Sequence, residues 1–225
     1  TFKAGIRVTG GSVGIGTDNP TAKLHVVGGA TIDGLIVTGI ATIGDVNVIG
    51  SPGQNNTVFG KSSLEDVTIG SHNAVFGFFA GKEITSGSDN TACGNNALRD
   101  NTTGDSNIAV GKNALLFNDN ADGNTGVGDN ALNRNESGSN NTAIGLKAGY
   151  YIEGSNNTIL GAYQGVADDS SLNGTVIISA GTTERFRINS AGYVGIGTDN
   201  PTTKLEVTGD LKVVNTGIAY LQPNT

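Results

Sequence analysis

Residues 90–111 read NTACGNNALRDNTTGDSNIAVG, and in them Asn90 and Gly94 return seventeen residues later as Asn107 and Gly111. The pair runs along the chain. Asn56, Asn73, Asn90, Asn107, Asn124, Asn141 and Asn157 stand 17, 17, 17, 17, 17 and 16 residues apart. Four residues after each comes a glycine: Gly60, Gly77, Gly94, Gly111, Gly128, Gly145 and Gly161. The residue before each glycine is apolar (Phe59, Phe76, Cys93, Val110, Val127, Ile144, Leu160), and the one before that is small or branched (Val58, Val75, Ala92, Ala109, Gly126, Ala143, Ile159). A further column lies three residues beyond the glycine, at Ser63, Ala80, Ala97, Ala114, Ala131, Ala148 and Gln164. Its outer members leave the apolar pattern, as terminal units of a stack do.

A fixed period of this length marks a unit that cannot bury its own apolar side chains and must stack on its neighbours. Seventeen residues are too few for a two-helix repeat. Most copies also carry a second glycine at constant phase (Gly53, Gly70, Gly87, Gly104, Gly138, Gly154), and each would cost a helix about 1 kcal/mol relative to alanine. Short strands joined by tight turns fit better, with glycine and asparagine supplying the turn conformations. The chain therefore reads as all-β, a parallel β-solenoid of about seven 17-residue coils with the Asn and Gly columns as structural ladder residues. The asparagines are expected to form an amide ladder along its axis.

Composition bears on assembly. Gly is 36 of 225 residues, Trp and Met are absent, and aromatics are 5%, so large apolar side chains are spread thinly. Burying one contributes about 1.5 to 3 kcal/mol, whereas ordering each residue costs about 1 to 2 kcal/mol of backbone entropy. A narrow solenoid is under-supplied on its own, which favours an intertwined homotrimer that buries the remaining apolar face and covers strand edges. A net charge of -7 and the lack of a basic stripe argue against nucleic acid. No run of 18 apolar residues predicts membrane insertion, and no secretion signal is recognisable. The chain reads as a segment of a longer protein.

A second repeat brackets the first. VGIGTDNPTAKL at residues 13–24 returns as VGIGTDNPTTKL at 194–205, differing only at Ala22 and Thr203. Each copy follows a strand containing Arg7 or Arg187 and a turn at Gly10 and Gly11 or at Ala191 and Gly192, so each reads as a hairpin leading into the VGIG strand. An Asp-Asn-Pro turn and a short strand then follow. The organisation is an N-terminal hairpin module (1–29), a β-rich spacer punctuated by Gly34, Gly39 and Gly44 (30–52), the solenoid (53–172), closing strands with the second module (173–209), and a C-terminal continuation (210–225). The run Thr175 to Ile178 reads as a degenerate eighth strand.

TERFRINSAGYVGIGTDNPTTKLEVTG at 183–209 resembles the recurring module of phage tail-fibre and related virion appendage proteins, especially those of marine cyanophages. GLIVTGIATIGDVNVIG at 34–50 resembles their spacers, and NNTAIGLKAGYYIEGSNNTILG at 140–161 is similar both to fibre repeats and to the heads of trimeric autotransporter adhesins. The resemblance implies a homotrimeric rod in a phage tail, located in the virion and so extracellular. It would be structural and adhesive, in contact with itself, with other tail proteins and with a host-surface glycan or protein. The alternatives are the head of a bacterial trimeric adhesin and a polysaccharide depolymerase tail spike. Adhesin heads usually have repeats a few residues shorter.

Residues able to carry chemistry are few. Gly14 and Gly16, with their counterparts Gly195 and Gly197, make a GxG that lacks the third glycine and the helix a phosphate cradle needs. His25, replaced by Glu206 in the second module, His72 and Cys93 form neither a triad nor a metal cluster, and Cys93 belongs to the apolar column. Asp100, Asp105, Asp119, Asp122 and Asp129 gather in successive coil loops, where calcium is conceivable, but a solvated acidic face is the simpler reading. The short coils offer no cleft for a glycosidase pair of carboxylates. The expectation is no enzyme, no catalytic residue, no cofactor and no metal. A column of Thr57, Thr91, Thr125, Thr142 and Thr158 invites comparison with ice-binding arrays, yet Ala74 and Ile108 interrupt it. Phe78, Phe79, Tyr150 and Tyr151 remain as aromatics outside the apolar column, suited to receptor contact or to packing between chains.

Overall fold

A computed structural model of the chain describes residues 13–15, 19, 24–26, 40–43, 46–49, 55–165 and 172–212. The strand expected around Arg7, the turn at Gly10 and Gly11, and the chain from residue 213 onward lie outside these. The chain divides into two compact units, Thr1–Val37 and Thr38–Thr225.

In the first unit β1 (Val13–Ile15) and β2 (Leu24–Val26) pair in parallel, Val13 opposite Leu24. In the second, the spacer contributes an antiparallel pair, β3 (Ile40–Ile43) and β4 (Val46–Ile49). The solenoid then gives one three-residue strand per coil: β5 (Thr57–Phe59), β6 (Ala74–Phe76), β7 (Thr91–Cys93), β8 (Ile108–Val110), β9 (Thr125–Val127), β10 (Thr142–Ile144) and β11 (Thr158–Leu160). These stack parallel and in sequence order, so that Ala92 lies between Val75 and Ala109. The eighth strand is present as β12 (Val176–Ala180), parallel to β11. The closing hairpin follows as β13 (Thr183–Ile188) and β14 (Val194–Ile196), both pairings antiparallel, and β15 (Leu205–Val207) returns parallel to β14. That last pair has the same register as β1 and β2, as expected of a repeated module. The eleven strands form one sheet, and no helix occurs among the described residues.

The asparagine column explains the period. Each side chain lies buried at the start of its coil and is used at both ends. Asn73 donates from Nδ2 to the Gly87 carbonyl at the close of its own coil (2.9 Å), while its Oδ1 accepts the backbone N–H of Asn90 at the start of the next (3.0 Å). Asn90, Asn107, Asn124 and Asn141 repeat both bonds, and the last member, Asn157, holds the Leu172 carbonyl and the Thr175 N–H. The ladder therefore runs from side chain to backbone; the amides do not stack on each other. Asparagine suits this because one short side chain presents a donor and an acceptor. The glycine four residues on has its own cause. At Gly94 φ is +144°, and a Cβ would stand 2.4 Å from the Gly111 carbonyl oxygen of the next coil.

A second buried asparagine column joins the middle coils side chain to side chain. Asn118 donates to Asn101 (3.1 Å) and Asn135 to Asn118 (3.0 Å), while Asn124 and Asn141 reach across to Asn118 and Asn135. Among the described residues no buried side-chain polar atom is left without a hydrogen bond, as an interior this polar requires.

The apolar core is built from three columns whose volumes compensate. The middle residue of each strand from β5 to β11 points inward, and facing it across the coil is a residue four beyond the glycine, held in the left-handed region at Leu64, Leu98, Leu115 and Leu132 (φ +48° to +53°). Such backbone is unfavourable for leucine, and here it is stabilised by a fully buried side chain. Where the inward strand residue is Ala92, Ala109 or Gly126, the coil carries Leu98, Leu115 or Leu132 with an asparagine three residues later. In the coils with Gly81 and Gly149, isoleucine occupies that later position instead, and a Cβ on Gly81 would meet the Ile84 side chain at 2.9 Å. Leucine with asparagine, or glycine with isoleucine, thus fill the same space.

At the far end, Arg187 stands opposite the core residue Ile177. Its guanidinium makes two 2.7 Å bonds to the Glu184 carboxylate, with both side chains partly buried. The hydrogen bonds to Glu184 raise the arginine pKa further against the opposing effect of burial. The arginine of the module thus ends the apolar column with a neutralised pair.

Candidate recognition surfaces

Around the coil three surfaces differ in chemistry. The first is the outer face of the sheet. The inward strand position is taken by the small or branched residue (Val58, Val75, Ala92, Ala109, Gly126, Ala143, Ile159), and the apolar column beside it turns outward: Phe59 is 53% exposed, Phe76 42% and Ile144 45%, with Cys93, Val110 and Leu160 exposed beside them. Cys93, which sits in this column as the sequence implies, is thereby an exposed free thiol. The residues two positions before, Thr57, Ala74, Thr91, Ile108, Thr125, Thr142 and Thr158, project from the same face. Neither column contains a charge. The result is an uncharged strip, one apolar column beside a largely threonine one, running the length of seven coils and continuing through Ile178, which is 42% exposed.

The second surface lies on the turns after the glycine. Phe78 and Phe79 meet with ring centroids 3.9 Å apart and planes tilted by 41°, Phe78 the more exposed. Asn96, Asn113 and Asn130 occupy the equivalent left-handed position in the following coils and form a third short amide ladder, Asn96 donating to Asn113 (3.1 Å) and Asn113 to Asn130 (3.4 Å).

The third surface carries the aromatic and acidic groups of the longer turns. Glu83, Asp100, Phe117, Arg134 and Tyr151 form one column, and Thr102, Asp119 and Glu136 run beside it. Between the columns lies a groove of about 470 Å³ whose walls include Glu83, Phe117, Asp119 and Glu136. Thr103, Asn120 and Ser137 make a third column, and Asn120 and Ser137 reach the groove rim. The Arg99 guanidinium sits 6.0 Å from the Phe117 ring centre and that of Arg134 5.9 Å from Tyr151, which also meets Tyr150 edge-on at 4.6 Å. Tyr150 and Tyr151 are thus brought together, but on a different surface from Phe78 and Phe79.

Each of the five aspartates has a hydrogen-bond role. Asp105 and Asp122 accept backbone N–H groups of Ser88 (2.7 Å) and Asp105 (2.8 Å) in the preceding coils, a role that Ser88, Ser139, Ser155 and Asn173 fill at the same phase. Asp100 is held by Arg99, Asp119 accepts the Thr102 hydroxyl, and Asp129 accepts from Asn130. Among the described residues no group of three His, Cys, Asp or Glu is arranged to hold a metal ion. His72 is exposed, 3.3 Å from the Asn55 amide and 3.8 Å from Asp89, while the side chain of His25 lies outside the described residues. Gly195 and Gly197 belong to β14 and the turn after it, with no helix behind them.

Comparison with protein-family models, with curated proteins and with solved structures yields no match. No helix among the described residues is long and apolar enough to cross a membrane.

Proposed function

We propose that this chain is a non-enzymatic, structural and adhesive segment of a bacteriophage tail fibre, in which three copies associate as a rod that carries host attachment. The observation that carries the reading is the uncharged strip, with its exposed apolar column, on the outer sheet face. Exposed apolar patches of this extent mark interaction sites, and a surface repeated at every coil is matched best by a partner with the same repeat, namely another copy in register. Threefold association would present three copies of each lateral surface, so weak contacts to a cell surface gain avidity. The resemblance of the VGIGTDNP modules to virion appendage proteins supports the tail location.

Light scattering on the full chain tests the assembly. A mass near three times 22.7 kDa is expected, with Phe76→Asp and Ile144→Glu together lowering it. Cys93 supplies an internal reporter, since strips packed about a common axis bring the thiols of different copies within reach of a short bismaleimide. A folded monomer at 22.7 kDa whose thiols do not cross-link would sink the proposal. Labelling of purified virions with antibody to the chain tests the location.

A further inference from the structure

The groove beside Phe117 has features that the assembly reading leaves unused. Its lining includes one half-buried aromatic ring, Phe117. Its walls offer hydrogen-bond acceptors on Glu83 and Glu136 and mixed donors and acceptors on Asn120 and Ser137. Two of its four carboxylates are already engaged, Asp100 by Arg99 and Asp119 by the Thr102 hydroxyl. Its volume of about 470 Å³ falls in the range of small-ligand sites.

We propose that this groove binds a neutral oligosaccharide, one sugar stacking on Phe117 with its hydroxyls donated to Glu83 and Glu136. An aromatic face takes the C–H side of a sugar, and carboxylates accept from hydroxyls without competing for a charge. Acidic glycans and phosphorylated ligands are repelled by the same carboxylates. A cationic ligand is the rival occupant of these carboxylates, since Arg99, 6.0 Å from the Phe117 ring centre, is paired with Asp100, and the hexalysine comparator decides between the two. An aromatic ring recurs along the column, with Arg134 between Phe117 and Tyr151. Tyr151 stands in the same column two coils on, at a rise of about 10 Å, roughly the length of a disaccharide, so a chain lying along the coil axis meets a second ring. This rests on the attachment reading above and gives it a ligand class.

The experiment is saturation-transfer NMR on the full chain with maltohexaose, cellohexaose and N-acetylchitohexaose, using oligogalacturonate and hexalysine as charged comparators. At least one neutral hexasaccharide is expected to bind. Phe117→Ala should weaken it about tenfold or more and Phe117→Tyr much less. Glu83→Gln should weaken it severalfold, and Tyr151→Ala should affect the hexasaccharide but not the corresponding disaccharide. Each variant is checked by circular dichroism, so a loss through unfolding is recognised, and Phe117→Tyr keeps the test open if Phe117→Ala fails to fold. Absence of binding by all three neutral sugars, binding unchanged in folded Phe117→Ala, or preference for hexalysine would each overturn the proposal. Light scattering on the same samples separates the two readings. A trimer without sugar binding removes only the groove, and a sugar-binding monomer removes only the rod.

Discussion

Replacing Asn73 by alanine removes both of its bonds and strands two buried backbone groups, the Gly87 carbonyl and the Asn90 N–H, each of which has that side chain as its partner. Leaving one buried polar group unsatisfied costs about 1 to 3 kcal/mol, so the loss is about 4 kcal/mol. The same substitution at Asn124 has a smaller consequence. The Gly138 carbonyl keeps its bond from Asn135 (2.6 Å), Asn118 Oδ1 keeps another from Asn135 (3.0 Å), and only the Asn141 N–H is stranded. The expected cost there is about 2 kcal/mol. Loss of side-chain volume is common to both variants and cancels in the difference. Urea unfolding followed by far-UV circular dichroism, at one chain concentration because association shifts the midpoint, gives both values by linear extrapolation. Equal losses, or a larger loss at Asn124, would show that the second asparagine column does not share the carbonyl and would refute the accounting.

The compensation inside the coils predicts a double-mutant cycle. Gly81→Leu alone should destabilise by about 1 to 3 kcal/mol through overpacking against Ile84. Adding Ile84→Asn, which reproduces the Leu98 and Asn101 pairing of the next coil, should recover most of that, a coupling readable as non-additivity in the same unfolding assay. The closing module predicts a pH response. Glu206 is held below its ordinary pKa by the backbone N–H and then the hydroxyl of Thr202. Its clasp is therefore complete above the normal carboxylate range and lost as pH falls through the lowered value. An NMR titration should find the Thr202 amide signal moving only below that range, and movement at ordinary glutamate pH would count against the clasp.

The Asn and Gly cadence was enough to read one strand per coil, the parallel stacking and the extra strand after Thr175, because those follow from period and turn chemistry. Which way the strand residues face was not legible. Alternation normally puts the larger apolar residue inside, but in a coil this narrow Leu115 crosses the interior to within about a bond length of contact with the Gly126 position: a Cβ there would meet it at 3.3 Å. In the coils that carry Leu98, Leu115 or Leu132 the strand must turn its small residue inward and its larger one out. Leucine in a left-handed turn, the least expected residue for that backbone, hid this column from a reading that looks for glycine and asparagine at such positions. The same inversion moved Cys93 to the surface. Of the candidate recognition residues, Tyr151 lay within reach of sequence reasoning. Phe117 did not, because its setting depends on Glu83 and Glu136, brought beside it from coils on either side.

The asparagine that closes one coil and holds the start of the next makes every bond of the column local to a pair of neighbours. A coil can therefore be duplicated or excised as a unit while the remaining bonds stay intact, provided the new neighbours match in volume. The three middle coils, which share the leucine and asparagine solution, are the interchangeable ones. The number of coils is then a trait that can change one seventeen-residue unit at a time, without redesign of the bonds that hold the remaining coils together.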